Sequence, residues 1–127
     1  MRPWRQPIDL GSHGERIAAR TLRRAGYRIL ARNARIGPFE IDIIAEDGDT
    51  TAFVEVKTRR SASFAEPEAN VTRDKQRRIC SAARRYIAAR NDPARYYRFD
   101  VVAVVLPERG RPEVTIFRDA FQDEWGR

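Results

Sequence analysis

The sequence predicts a small α/β domain: a central mixed β-sheet flanked by helices, with elements in the order α-β-β-β-α-β-β. Three observations carry this. Two strand-like runs, Phe39 to Ala45 and Phe53 to Lys57, are joined through Asp47-Gly48, a strong hairpin signal. Two segments place apolar residues at helical spacing: Ala18, Leu22 and Ala25 in the first, Ile79, Ala83 and Ile87 in the second. Between Val101 and Leu106 the chain is apolar at both parities, which marks a strand buried on both faces and therefore a sheet covered on both sides. A chain of 127 residues fits one such domain.

The elements follow in order. Ser12 to Ala25 reads as a helix, with Ser12 as N-cap, Glu15 three residues on as its capping-box partner, and Gly26 as the stop. Tyr27 to Arg35 reads as a strand, with Tyr27, Ile29 and Ala31 alternating against Arg28, Leu30 and Arg32. The second strand covers Glu40 to Ala45 and the third Thr51 to Thr58. Residues 59–70 read as a loop, rich in small residues and broken by Pro67. A long helix from Thr72 to Arg90 ends at Asn91-Asp92-Pro93. Strands from Arg98 to Leu106 and Glu113 to Phe117 complete the set. One domain thus spans 1–127, with a core over about 11–118 and terminal stretches 1–10 and 119–127 expected to be flexible.

Hydrophobic content of 42% supports a packed core. No apolar run approaches the ~20 residues of a membrane span. The basic N-terminus is followed by no apolar stretch, so it does not read as a secretory signal. Cys80 is the single cysteine and has no partner for an internal disulfide, which makes a reducing cytoplasm the natural setting. The net charge of +7 and an isoelectric point near 10.4 favour a polyanionic partner, nucleic acid foremost. An arginine-rich solubilising surface would give the same sum. The distribution is more informative. No basic residue lies between Arg35 and Lys57, an interval holding Glu40, Asp42, Glu46, Asp47, Asp49 and Glu55. Glu46, Asp47 and Asp49 are expected to be solvated turn residues.

Of 25 basic residues only Lys57 and Lys75 are lysines. Lys57 sits in Phe53-Val54-Glu55-Val56-Lys57, where a compact ammonium rather than a planar guanidinium stands two residues from a carboxylate. Strand alternation puts Glu40 and Asp42 on one face, away from Phe39, Ile41 and Ile43. It likewise puts Phe53, Glu55 and Lys57 together, away from Val54 and Val56. A hairpin that pairs the charged faces brings Asp42, Glu55 and Lys57 together. Acids buried side by side need a cation. Mg²⁺ suits carboxylate oxygens and keeps waters that a phosphate can displace. Lys57 would then orient or deprotonate the attacking water, or stabilise transition-state charge. A Glu–Lys pair on a solvated strand face is the competing account.

Two helical residues bear on this site. Glu15 shares the apolar stripe of the first helix, so it is either a capping-box acid or a carboxylate facing the site. Gln76 shares the stripe of the second helix, near its start, so it either faces the site or solvates the helix end. Lys75 could contact phosphate there or be exposed. Arg59 and Arg60 follow the third strand and are placed to grip a phosphate backbone, whereas Arg84 and Arg85 read as a solvated face. His13 is the only histidine, which excludes a zinc site built on imidazoles. Cys80 reads as a buried small residue.

These residues resemble the PD-(D/E)XK nuclease superfamily: Glu15, then Asp42, then Glu55-Val56-Lys57, then Gln76, in that order. From about Gly11 to Val105 the chain resembles the YraN-like family of uncharacterised bacterial proteins. The resemblance rests on Gly14-Glu15, Phe39-Glu40-Ile41-Asp42-Ile43-Ile44, Phe53 through Arg59, Lys75-Gln76, and Arg98-Phe99-Asp100-Val101-Val102. The family's glycine before Glu-Ile-Asp is Phe39 here. The family is similar in fold to archaeal-type Holliday junction resolvases. The resemblance implies a restriction-endonuclease-like core and a Mg²⁺-dependent phosphodiesterase site, with Mn²⁺ as a substitute. Asp42 and Glu55 would be the metal ligands, Lys57, Glu15 and Gln76 the catalytic group, and Glu40 an outer acid. Junction-cutting relatives need two sites, so a homodimer is compatible with it. Asp100 belongs to the Arg98-Phe99-Asp100-Val101-Val102 motif and reads equally as a strand-start residue pairing with Arg98 or another arginine.

Three functions are compatible with these features. The first is a Mg²⁺-dependent endonuclease acting on DNA, including branched or junction DNA. The second is a nucleic-acid-binding module with the same fold and no catalysis. The third is an interaction protein that docks a partner through a sheet edge or helix face.

Overall fold

The computed structural model describes residues 10–60 and 70–126. The expected loop falls largely, and the expected flexible N-terminus almost wholly, outside them. The elements are α1 (Leu10–Arg24), β1 (Arg28–Ile36), β2 (Phe39–Asp47), β3 (Thr50–Arg59), α2 (Arg73–Arg90), β4 (Tyr96–Val105) and β5 (Glu113–Phe121). The expected element order is the observed one. The five strands form one sheet in the order β1-β2-β3-β4-β5. β3 and β4 pair in parallel and the other neighbours pair antiparallel. The parallel pair requires a crossover, and α2 supplies it.

The helices cover opposite faces. Ala18, Ala19 and Leu22 of α1 pack with Ile43, Ala45, Val54, Val102 and Val104. Ile79, Cys80, Ala82 and Ala83 of α2 pack with Ile41, Ile44, Phe53, Phe99 and Val101. This two-sided burial explains why Val101 to Val105 is apolar at both parities. Thr72 caps α2 by accepting from the Lys75 N–H at 3.2 Å, and Asn91 ends it in the left-handed region with its N–H on the Ile87 carbonyl at 2.9 Å. Gly48, at φ 63°, makes the β2–β3 turn.

Four expectations need correction. α1 begins at Leu10, so Ser12 lies inside its first turn and is not the N-cap. β5 runs through Phe121, past the end expected from alternation, and the Asp123 carboxylate beyond it meets Arg84 at 2.7 Å. Arg84 is therefore tied down rather than simply solvated. Two of the three turn acids are also engaged, Glu46 with Arg28 at 3.0 Å and Asp47 with Arg98 at 2.9 Å, while Asp49 is exposed as expected. Turn chemistry is legible locally, but the arginines that close on it come from distant strands.

Asp100 is the deepest charge, with no exposed surface. It accepts from Arg98 Nε and Nη2, both at 2.8 Å, from the Tyr27 hydroxyl at 2.8 Å, and from the Asp119 N–H at 2.9 Å. Asp100 is thus paired with Arg98 as expected, but it lies in the middle of β4 rather than at its start. Burial and the neighbouring carboxylate push the Tyr27 hydroxyl up to about 12.

Two predictions follow from this packing. Tyr27→Phe removes one donor from a buried carboxylate and should cost about 1.5–3 kcal/mol in urea unfolding at neutral pH. Tyr27 has its pKa raised on folding, so its contribution is complete below pH 10 and is lost as pH rises through about 12. The gap between wild type and Tyr27→Phe should therefore narrow across that window. Gly14 is buried where α1 crosses the end of β3, and an added Cβ would collide with the Thr58 side chain. Gly14→Ala should cost about 1–3 kcal/mol by the same measurement.

Candidate active site at a fork between two strands

The β2–β3 ladder ends at Ile43 opposite Val54. Before Ile43, β2 continues beside β1 alone; beyond Val54, β3 continues beside β4 alone. The two strands therefore open into a fork with Asp42 and Glu55 at its throat. Asp42 fills the broken ladder with its own side chain: Oδ2 accepts the Val56 N–H at 2.8 Å. Opposite Asp42 in the β1–β2 register stands Asn33, in the left-handed region at φ 51°. Both strands are irregular at the same level, and alternation breaks there. Ile43 packs on the α1 side, but Ile41 and Phe39 pack on the α2 side. The expected shared face for Phe39, Ile41 and Ile43 is thus wrong, because strict alternation holds only for an unbroken strand.

Glu55 is almost wholly buried and shares the α2 side with Phe53. Its carboxyl is pushed up to about 7, first by burial and then by the Asp42 carboxylate within hydrogen-bonding reach. The ammonium that offsets these effects belongs to Lys75, whose Nζ lies 3.3 Å from Glu55 Oε2. Lys57, two residues beyond Glu55, instead donates from Nζ to the Asn70 carbonyl. Of the two lysines of the chain, Lys75 is thus the one that pairs with the acids.

Glu15 approaches the fork from α1. Its carboxyl is raised, chiefly by burial and next by Asp42, with Arg32 and a hydrogen bond from Asn33 pulling it back and Glu40 adding to the rise. Glu15, Asp42 and Glu40 therefore feel one another, although Glu40 itself is exposed. Gln76 is not drawn to the acids: its Nε2 donates to the Val71 carbonyl at 2.9 Å. Arg59 closes β3, where its carbonyl accepts the Leu106 N–H at 2.8 Å, and Arg60 is exposed just beyond. Asn33 was not legible as a site residue, though a polar side chain inside a strand pattern is the signal that marks it. Cys80 is buried, and its thiol is pushed up to about 12 by burial and Asp123, so it is no nucleophile.

Among the described residues, no three His, Cys, Asp or Glu side chains cluster closely enough to enclose a metal ion. The fork offers a pair of carboxylates. That donor set fits Mg²⁺, which binds through one or two carboxylates and takes its other oxygens from water and phosphate. A cleft of about 340 Å³ lies at the other end of α2, between Ala83, Ile87, Tyr97, Phe99 and Phe121, and contains none of the candidate residues. No helix among the described residues is long and apolar enough to cross a membrane.

The chain is similar to known proteins over most of its length. A UPF0102 protein of Chlorobaculum tepidum is 53% identical over 99 residues, 78% of this chain and 77% of that one. One from Nocardia farcinica is 46% identical over 112 residues, 88% of each chain. Another from Syntrophus aciditrophicus is 45% identical over 122 residues, 96% and 95% of the two chains. Among solved structures, a Holliday junction resolvase of Archaeoglobus fulgidus superposes with a TM-score of 0.47 at 19% identity, over 83% of this chain and 75% of that one. The family model for the uncharacterised protein family UPF0102 matches residues 14–104, which contain Glu15, both acids of the fork and both lysines. This chain belongs to the uncharacterised protein family UPF0102.

Proposed function

We propose that this protein is a Mg²⁺-dependent phosphodiesterase acting on DNA, with Mn²⁺ as a substitute and with branched or junction DNA among its substrates. The observation that carries this reading is the meeting of Asp42 and Glu55 at the mouth of the β2–β3 fork, with Glu55 buried and its carboxyl held up to about 7. Two carboxylates forced together in partial burial are costly unless a cation joins them. A divalent ion there would polarise a phosphoryl oxygen and supply activated water. Asp42 and Glu55 would hold it. Lys57, on the same strand as Glu55, would release the Asn70 carbonyl and place its ammonium against the developing phosphate charge. Glu15 would orient water from the α1 side, with Glu40 behind it, while Gln76 would steady the start of α2. Arg59 and Arg60 would hold the backbone of the substrate, and two copies would serve a symmetric junction. A reducing cytoplasm suits a chain whose single thiol is buried.

One observation favours the second reading, a nucleic-acid-binding module without catalysis. Lys75 already pairs with Glu55, and Lys57 is engaged elsewhere, so the acids have a partner without a metal. The two readings separate on one panel of linear, flap and four-way DNA, incubated with Mg²⁺ and with Mn²⁺. Cleavage by the wild type that falls on the order of 10³-fold in both Asp42→Ala and Lys57→Ala supports the enzyme. Binding without cleavage under both ions, unchanged or tightened by Asp42→Ala, supports the module. Calorimetry supplies a further check. Lys75→Met removes the ammonium that competes for Glu55 and should tighten Mn²⁺ binding, by up to about tenfold. Weaker Mn²⁺ binding by Lys75→Met would mean that the lysine supports the ion rather than competing with it.

A further inference from the structure

Both helices are rich in arginine, but the structure uses them differently. Five of the six arginines of α2 have an ion-pair or aromatic partner, and Arg85 alone has none among the described residues. Arg78 pairs with Asp74 at 2.6 Å and Arg84 with Asp123 at 2.7 Å. Arg73 and Arg77 stack on Trp125, at 5.2 and 5.5 Å from the ring centre, and Arg90 stacks on Tyr86 at 5.5 Å. Arg85 lies over Gly37 in the β1–β2 turn. On α1 the reverse holds. Arg16, Arg20, Arg23 and Arg24 are all exposed, and none has an ion pair, hydrogen bond or ring contact among the described residues.

Their spacing of four, three and one residues puts them along one side of the helix, away from the buried Ala18, Ala19 and Leu22. The stretch from Arg16 to Arg24 rises about 12 Å. It carries four positive charges, and the helix has a single acid, Glu15, whose carboxyl turns toward Asp42. Arg23 and Arg24 also complement the negative end of the helix dipole. That accounts for two of the four. Arg16 and Arg20, in the first half of the helix, gain nothing from it.

We infer that the exposed side of α1 is a binding surface for the phosphate backbone of double-helical nucleic acid, running from the fork outward along Arg16, Arg20, Arg23 and Arg24. Duplex DNA carries about one charge per 1.7 Å of axis, so a 12 Å row meets about seven phosphates. Guanidiniums that have no partner among the described residues match phosphate oxygens and lose no ion pair seen there on binding. The row begins one residue from Glu15, so a bound backbone leads toward the acids rather than away from them. An anionic membrane is the less suitable partner. A helix that lies in a bilayer surface must bury its apolar side in lipid, and here that side is already covered by the sheet. The inference deepens the DNA reading above but does not depend on cleavage.

The test measures binding of a fluorescent duplex of about 20 base pairs, in EDTA, from about 50 to about 200 mM KCl. The variant is Arg16→Gln/Arg20→Gln/Arg23→Gln. The control, Arg90→Gln/Arg109→Gln/Arg111→Gln, removes the same charge elsewhere. The row variant should lower the slope of log affinity against log salt by about 2 to 3, and weaken binding at least about tenfold. The control should keep the wild-type slope. A single Arg20→Gln should lower the slope by about 1, which keeps the test decisive if the triple variant folds poorly. Arg16→Lys/Arg20→Lys/Arg23→Lys should retain most of the slope. Equal losses in the row variant and the control would overturn the assignment, since the charge would then act diffusely. Stronger binding to phosphatidylserine vesicles than to the duplex would overturn it too. A protein that cuts DNA with Mg²⁺ but shows no row effect loses only this inference. A row effect in a protein that cuts nothing leaves the surface standing and removes the catalytic reading.

Discussion

A carboxylate with no exposed surface constrains everything around it, and Asp100 holds that position here. Its charge is tolerable only with donors on several sides. The donors come from the segment after α1, from β4 itself and from β5. Arg98 carries the link on to Asp47 at the end of β2. One buried charge therefore fixes where α1 ends, how β5 lies and how the β2–β3 turn sits. With that end of the sheet secured, the opposite end of the β2–β3 pair can open without loss of register elsewhere.

The fork uses that freedom. β3 is paired along its whole length with β4, so it stays straight and presents Glu55 from a rigid support. β2 is the strand that departs, and Asp42 replaces the lost ladder bond by taking the Val56 N–H. That one contact satisfies a backbone donor and also holds the aspartate beside the glutamate. The acids end up at an open edge rather than inside the cleft by the far end of α2. An open edge admits a polymer, whereas a closed cavity selects a small molecule.

Much of this was legible in the sequence because it depends on local rules. The Asp47-Gly48 turn, the shared face of Phe53 and Glu55, and the two-sided burial of Val101 to Val105 follow from turn chemistry and period-two alternation. The failures share a cause as well. Ile41 packs against the side that alternation denies it, since Asn33 and Asp42 break both strands at once. Ser12 is overtaken by a helix that starts two residues earlier. Glu46 and Asp47 find arginines on other elements, a matter of tertiary geometry that no local pattern encodes. The exchange between the lysines is similar in kind: four methylenes let either ammonium swing, and the fold determines which of them reaches Glu55.

The buried Cys80 has a practical consequence. With its thiol raised to about 12 and no solvent contact, Cys80 should react slowly with maleimides and other thiol-directed dyes at neutral pH. A cysteine introduced anywhere on the surface would then be the single labelling point, with no need to remove the natural one. Spin labels or fluorophores could report on the β2–β3 fork in an otherwise unaltered chain.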